Sequence, residues 1–247
     1  MARKVIGLIG NIGAGKSTLG AFLTSARGRQ ILEDAVPGSN LRYFHETVDE
    51  CAKELFYQDR EQFSDALEVI QARLRVLRHT VAFSHNGLAM FDRTLIEGSE
   101  TFRRNSFEDG YLTHQANEEY DRIVKQATDR LGRSAEKQSR WLETLLVYLR
   151  VEDPELLQQR QTRRGDAKEG VIPIGYLRCV NERYEKFVGE IVQTYGRWGL
   201  RAPEVLFLDG TRDIRAEPGL LEEHTERIAE TIRGSLSLAA AVSPRNA

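Results

Sequence analysis

Short runs of apolar residues alternate along this chain with longer stretches in which apolar positions recur every three or four residues. Val5-Ile6-Gly7-Leu8-Ile9, closed by Gly10, has the profile of a strand buried on both faces. Leu88-Ala89-Met90-Phe91, Leu145-Leu146-Val147-Tyr148-Leu149 and Val205-Leu206-Phe207-Leu208 read as a third, fourth and fifth strand. Gln30-Ile31-Leu32 reads as the second, ending at Glu33-Asp34. Helical spacing occupies residues 16–27, 41–56, 60–84, 114–135, 154–164, 174–196 and 219–236, and Pro37-Gly38-Ser39-Asn40 is turn chemistry. Strands alternating with helices predict one α/β domain over residues 1–236, with a five-stranded parallel sheet flanked by helices. Residues 237–247 are small, polar and contain a proline, and are expected to fray.

Composition narrows the picture by exclusion. The 247 residues are 40% apolar and 29% charged, ordinary for a globular chain, and the formal net charge of −2 steers it neither to nucleic acid nor to an anionic membrane. No apolar stretch approaches the roughly 20 residues that span a bilayer. Met1-Ala2-Arg3-Lys4 runs straight into the first predicted strand, so no signal peptide is expected. The only cysteines, Cys51 and Cys179, lie in helical patterns without a CxxC or a histidine neighbour. They are expected to be buried or half-buried small residues in a reducing cytoplasm, not a disulfide.

One motif carries specific chemistry. Gly10-Asn11-Ile12-Gly13-Ala14-Gly15-Lys16-Ser17 fulfils G-x-x-x-x-G-K-[ST] between a predicted strand and a predicted helix. Glycines let successive backbone N–H groups turn toward phosphate oxygens, and the helix N-terminus adds its positive dipole end. Lys16 would reach the β- and γ-phosphates of ATP, and the Ser17 hydroxyl would bind Mg²⁺. This P-loop specifies nucleotide binding and is silent about the acceptor.

The wider string, running on through Thr18-Leu19, resembles the opening of the deoxynucleoside kinase family. Asp92-Arg93-Thr94 is similar to that family's Asp/Glu-Arg-Ser motif. Arg160, Arg164-Gly165, Glu169, Ile172-Pro173 and Tyr176-Leu177 resemble its arginine lid, here about residues 158–170, and the helix after it. Leu208-Asp209-Gly210 resembles its closing strand and adenine-side loop. The resemblance spans roughly residues 4–212, with Ile9 and Asp166 as departures in the P-loop and lid. It implies that Arg160 and Arg164 face ATP, that Asp92 sits by Mg²⁺ with Ser17, and that Arg93 holds the acceptor. The family's general base is the Glu of a Glu-Pro-Val segment ending the second strand. Glu33 is the first choice for that role, with Asp34 the alternative, since Asp34-Ala35-Val36 fits the same pattern.

The resemblance also implies an acceptor pocket. Tyr57 and Glu169 fall where the family touches the sugar 3′-hydroxyl, Glu68 and Arg75 where it reads the base, and Phe102 where an aromatic stacks on it. Gly98 stands where the family often has a base-contacting Asp, and Gly38 where an aromatic follows the base by five residues. An acceptor-only Glu68 beside a donor-only Arg75 suits guanine better than cytosine or thymine. The expected partners are therefore ATP and a small nucleoside, purine favoured, with a homodimer left open. Two rivals remain: a nucleoside monophosphate kinase of the thymidylate kinase type, and a catalytically silent nucleotide-binding subunit.

Overall fold

The computed structural model describes residues 4–134, 142–165 and 171–242. In chain order the elements are β1 (Lys4–Ile9), α1 (Lys16–Thr24), α2 (Ala26–Ala35), β2 (Arg42–Phe44), α3 (Glu50–Gln58), α4 (Arg60–Ala82), β3 (Leu88–Asp92) and α5 (Leu95–Gly98). A π-helical segment, Ser99–Arg103, joins α5 to α6 (Arg104–Glu108) and α7 (His114–Ser134). Then follow β4 (Leu145–Arg150), α8 (Pro154–Arg164), α9 (Ile174–Gly189), α10 (Ile191–Arg197), β5 (Glu204–Asp209) and α11 (Pro218–Val242).

The five strands form one parallel sheet in the order β2-β3-β1-β4-β5. Central β1 is buried along its whole length, and its period-two alternation divides the core between two faces. Ile6 and Leu8 join Met90 and Val147 under α1, α2 and α11, whereas Ile9, Leu146 and Tyr148 meet α4, α7 and α9 through Ala72, Tyr120, Val124, Val180 and Tyr184. Truncating a side chain as enclosed as Leu8 (0% exposed) costs about 2–5 kcal/mol, so each helical layer is firmly tied to the sheet. From β1 the chain runs to edge strand β2 and back to β3 on one side, and from β3 it crosses over β1 to β4 on the other. This reversal opens a crevice at the carboxyl ends of β1 and β3, where ligands of open α/β sheets bind.

Residues 30–35 depart from the sequence reading. Ser25 caps α2 by accepting from the Gly28 N–H at 3.2 Å, and the Gln30 side-chain amide donates to Asp34 at 2.6 Å, an i,i+4 pair. Ile31 and Leu32 are thus the buried stripe of a helix, not a strand. The second strand is β2, three residues long and paired only with β3, from Arg42↔Ala89 to Phe44↔Phe91. The expected helix over 41–56 divides into this strand and α3, which Asp49 caps by accepting from the Ala52 N–H. Two smaller corrections follow. Cys51 and Cys179 are both exposed free thiols, and α11 continues through Val242, so residues 237–242 are helical. Among the described residues no helix is long and apolar enough to cross a membrane.

Candidate active site

The turn after β1 needs positive φ at Gly13 (82°) and Gly15 (99°), and a Cβ on Gly13 would stand 2.8 Å from the Leu157 carbonyl oxygen. Helix α1 begins at Lys16 with no side chain capping its first N–H groups, which leaves them for phosphate oxygens. Lys16 Nζ donates to the Gly10 and Asn11 carbonyls at 2.8 and 2.9 Å. Burial first, and then the charge of Arg93, lower its pKa to about 8. The Asn11 amide, itself buried, donates to the Leu177 carbonyl (2.8 Å) and to Asn181 Oδ1 (2.7 Å), tying the loop to α9. Ile12, Gly13, Gly15, Lys16, Ser17 and Thr18 line a cavity of about 470 Å³, with Gly10, Asn11 and Ala14 buried beneath it.

Asp92, ending β3, accepts at one carboxylate oxygen from both Ser17 Oγ and Tyr43 Oη, each at 3.0 Å. The pair Ser17 and Asp92 offers hard oxygen donors of the kind Mg²⁺ accepts when phosphates complete its shell. Two residues past β2, Glu46 enters the same cavity. It accepts from Arg93 Nε at 2.8 Å and Arg75 Nη2 at 3.1 Å. Burial would raise its pKa, but Arg93, Arg75, Arg78 and Lys16 outweigh it and hold the carboxyl down at about 2.

Arg93 adopts φ 63°, a left-handed conformation that costs a side-chain-bearing residue about 1–3 kcal/mol and is held here from outside. The clamp is Arg78 of α4, which donates to the carbonyls of His45 (2.6 Å), Asp92 (3.0 Å) and Arg93 (3.1 Å), fastening the ends of β2 and β3 together. The guanidinium of Arg93 lies 4.0 Å over the Phe102 ring, donates to Tyr184 Oη at 3.2 Å and faces Glu97 at 3.6 Å. Tyr184 in turn donates to Glu97, a buried carboxyl that also accepts from the Thr94 N–H. Burial pushes the Glu97 pKa up, and Arg93 counteracts it.

Glu68 and Arg75 line the far end of the cavity with Phe102. Glu68 accepts from Ser106 Oγ at 3.0 Å, and its burial raises its pKa against the pull of Arg75. Arg75 is less free to read a base than the sequence implied. Its Nη1 donates to Tyr120 Oη at 3.1 Å and its Nη2 to Glu46, leaving Nε alone unpaired. Gly98 explains this posture: a Cβ there would lie 2.4 Å from Arg75 Nη1, so the missing side chain is the space the guanidinium fills. On the lid side, Arg160 and Arg164 line the cavity. Arg160 donates to the Gly210, Thr211 and Arg212 carbonyls beyond β5. Glu169 and the side chain of Tyr57 lie outside the described residues.

Glu33 does not join this site. It sits on the exposed face of α2 and accepts from the Gly38 N–H (2.6 Å), the Ser39 N–H (3.2 Å) and Ser39 Oγ (3.1 Å). Those bonds lower its pKa and make it a cap for the 37–39 turn. Asp34 is on the same helix, and Gly38, expected to follow the base, belongs to that turn. The acid that the topology delivers is Glu46. Its signal was present, because Glu46-Thr47-Val48 keeps the Glu and Val of the pattern sought at residues 33–36. Arg78, Glu97, Ser106 and Tyr184 had no sequence motif to mark them.

Comparison with known proteins places these observations in context. The family model described as deoxynucleoside kinase matches residues 6–236. Mitochondrial thymidine kinase 2 of Macaca fascicularis is 24% identical over 229 residues, covering 92% of this chain and 78% of that protein. The solved structure of deoxyadenosine kinase from M. mycoides with bound dATP superposes with a TM-score of 0.62 at 20% identity, covering 89% of this chain and 97% of that one.

Proposed function

Because the chain belongs to the deoxynucleoside kinase family, we propose that it moves the γ-phosphoryl group of ATP onto the 5′-hydroxyl of a deoxynucleoside, with purines favoured. As a nucleoside kinase it is a transferase. The observation that carries the reading is the single cavity joining the P-loop, through Lys16 and Ser17, to Glu46, Arg93 and the aromatic floor of Phe102.

In this mechanism the uncapped start of α1 and Lys16 hold the β- and γ-phosphates. Ser17 and Asp92 would hold Mg²⁺, which when bound would neutralise charge on those phosphates. The acceptor hydroxyl enters between Glu46 and Arg93. Glu46 orients it and takes its proton, and Arg93 steadies the acceptor oxygen. A carboxylate held near 2 is a weak base, but a loose phosphoryl transition state asks mainly for orientation, and the proton leaves late. Inserting a hydroxyl between Glu46 and its arginines also loosens the pairing that lowers its basicity. Purine preference rests on Glu68 as an acceptor in the cavity that it lines with Phe102. The reading is tested by incubating the protein with ATP, Mg²⁺ and each common nucleoside and deoxynucleoside, with dTMP as a further acceptor. A purine deoxynucleoside 5′-monophosphate is the expected product. Phosphorylation of dTMP alone, or of no acceptor, would overturn it.

A further inference from the structure

Helix α4 presents Glu68, Gln71 and Arg75 to the cavity at one-turn intervals. Glu68 has Ser106 as a partner, and Arg75 has Tyr120 and Glu46. Gln71 between them has none: it is 6% exposed, and neither its Oε1 nor its Nε2 finds a hydrogen-bond partner in the protein. An enclosed primary amide left unpaired is costly, so it is retained only where it stabilises something else. With Arg75 drawn into the space left by Gly98 and committed to Glu46, the amide of Gln71 is the side chain at this end with both a donor and an acceptor uncommitted.

We propose that Gln71 reads the edge of the acceptor base, which rests on the nucleoside kinase reading above. An amide matches a base edge carrying a donor and an acceptor side by side, as carboxamides do with adenine. On a guanine, Nε2 donates to O6 and Oε1 accepts from N1–H, while Glu68 accepts from the exocyclic amine. On an adenine, Oε1 accepts from N6–H and Nε2 donates to a ring nitrogen. Substituents at the purine 6-position therefore supply what Gln71 lacks.

The test compares wild type with Gln71→Leu, and with Gln71→Met as a second variant of similar length. Deoxyguanosine, deoxyadenosine and purine 2′-deoxyriboside, which has no 6-substituent, serve as acceptors. Loss of the amide is expected to lower kcat/KM for the preferred 6-substituted purine by about tenfold or more. The unsubstituted purine should lose less, ATP affinity should stay unchanged, and the unliganded variants should melt no lower than wild type. If Gln71 is merely an unpaired buried amide, the variants melt higher and discriminate as wild type does, which overturns the proposal while leaving the kinase reading intact. A wild type that turns over no nucleoside sinks both.

Discussion

Replacing Gly98 by alanine puts a methyl group where the Arg75 guanidinium lies. The new Cβ would stand 2.4 Å from Nη1 and 2.7 Å from Cζ, far inside contact distance. Gly98 has helical dihedrals, φ −59° and ψ −37°, so on backbone grounds alone alanine should stabilise the site by about 1 kcal/mol. Against this stands overpacking of about 1–3 kcal/mol. Where the guanidinium is driven off Glu46, a buried charge losing its partner costs about 3–5 kcal/mol. The net expectation is a loss of about 1–3 kcal/mol, with Tm falling by about 2–4 °C per kcal/mol for a chain of this size. Thermal denaturation of Gly98→Ala, Arg75→Ala and the double variant checks it. In the Arg75→Ala background the same methyl should be neutral or stabilising, which gives a coupling of at least about 1 kcal/mol. A Gly98→Ala protein that melts higher than wild type would refute the account of why this glycine is here.

Three further outcomes follow from the buried charges. The lowered pKa of Lys16, about 8 when folded against 10.5, means that the unfolded chain binds more protons between those values, so native stability rises with pH through that window. Lys16→Met should therefore stabilise the unliganded protein at pH 7 by up to about 3 kcal/mol while abolishing turnover, and denaturant titrations should show the gain shrinking above pH 8. Glu46 has the opposite sign: its folded pKa of about 2 against 4.5 gives stability that is present above 4.5 and lost as pH falls toward 2. Acid unfolding of Glu46→Gln should be correspondingly flatter than that of wild type. Tyr184→Phe removes the hydroxyl shared by Arg93 and buried Glu97, and should cost about 1–3 kcal/mol in denaturant titrations and lower kcat.

The parts of the molecule that follow from local rules were visible in the sequence. β1, β3 and β4 are apolar runs because both faces of a central strand are covered, and the P-loop glycines mark a turn that only positive φ can close. β2 escaped because an edge strand of three residues, with Arg42 exposed and only Phe44 buried, carries no such run. Leu41, Phe44 and Val48 instead mimic helical spacing, whereas Ile31 and Leu32 mimic a strand. That single exchange moved the expected base from Glu46 to Glu33. Gly98 was legible as a departure, but the reason for it comes from Arg75, twenty-three positions away in sequence and in contact only once α4 packs beside α5. Gln71 was hidden among the charged residues of α4, since an unpaired amide is a property of packing and not of pattern.

The most direct measurement is a single-turnover comparison of wild type, Glu46→Gln and Glu33→Gln with saturating ATP, Mg²⁺ and the best deoxynucleoside. Removing a general base should slow phosphoryl transfer by about 10²–10⁴-fold in Glu46→Gln, with ATP affinity unchanged. Glu33→Gln should keep its rate within about twofold and lose only turn stability, as a surface substitution does. The reverse order, with Glu33→Gln slowed and Glu46→Gln near wild type, would contradict the assignment of the acceptor's proton to Glu46.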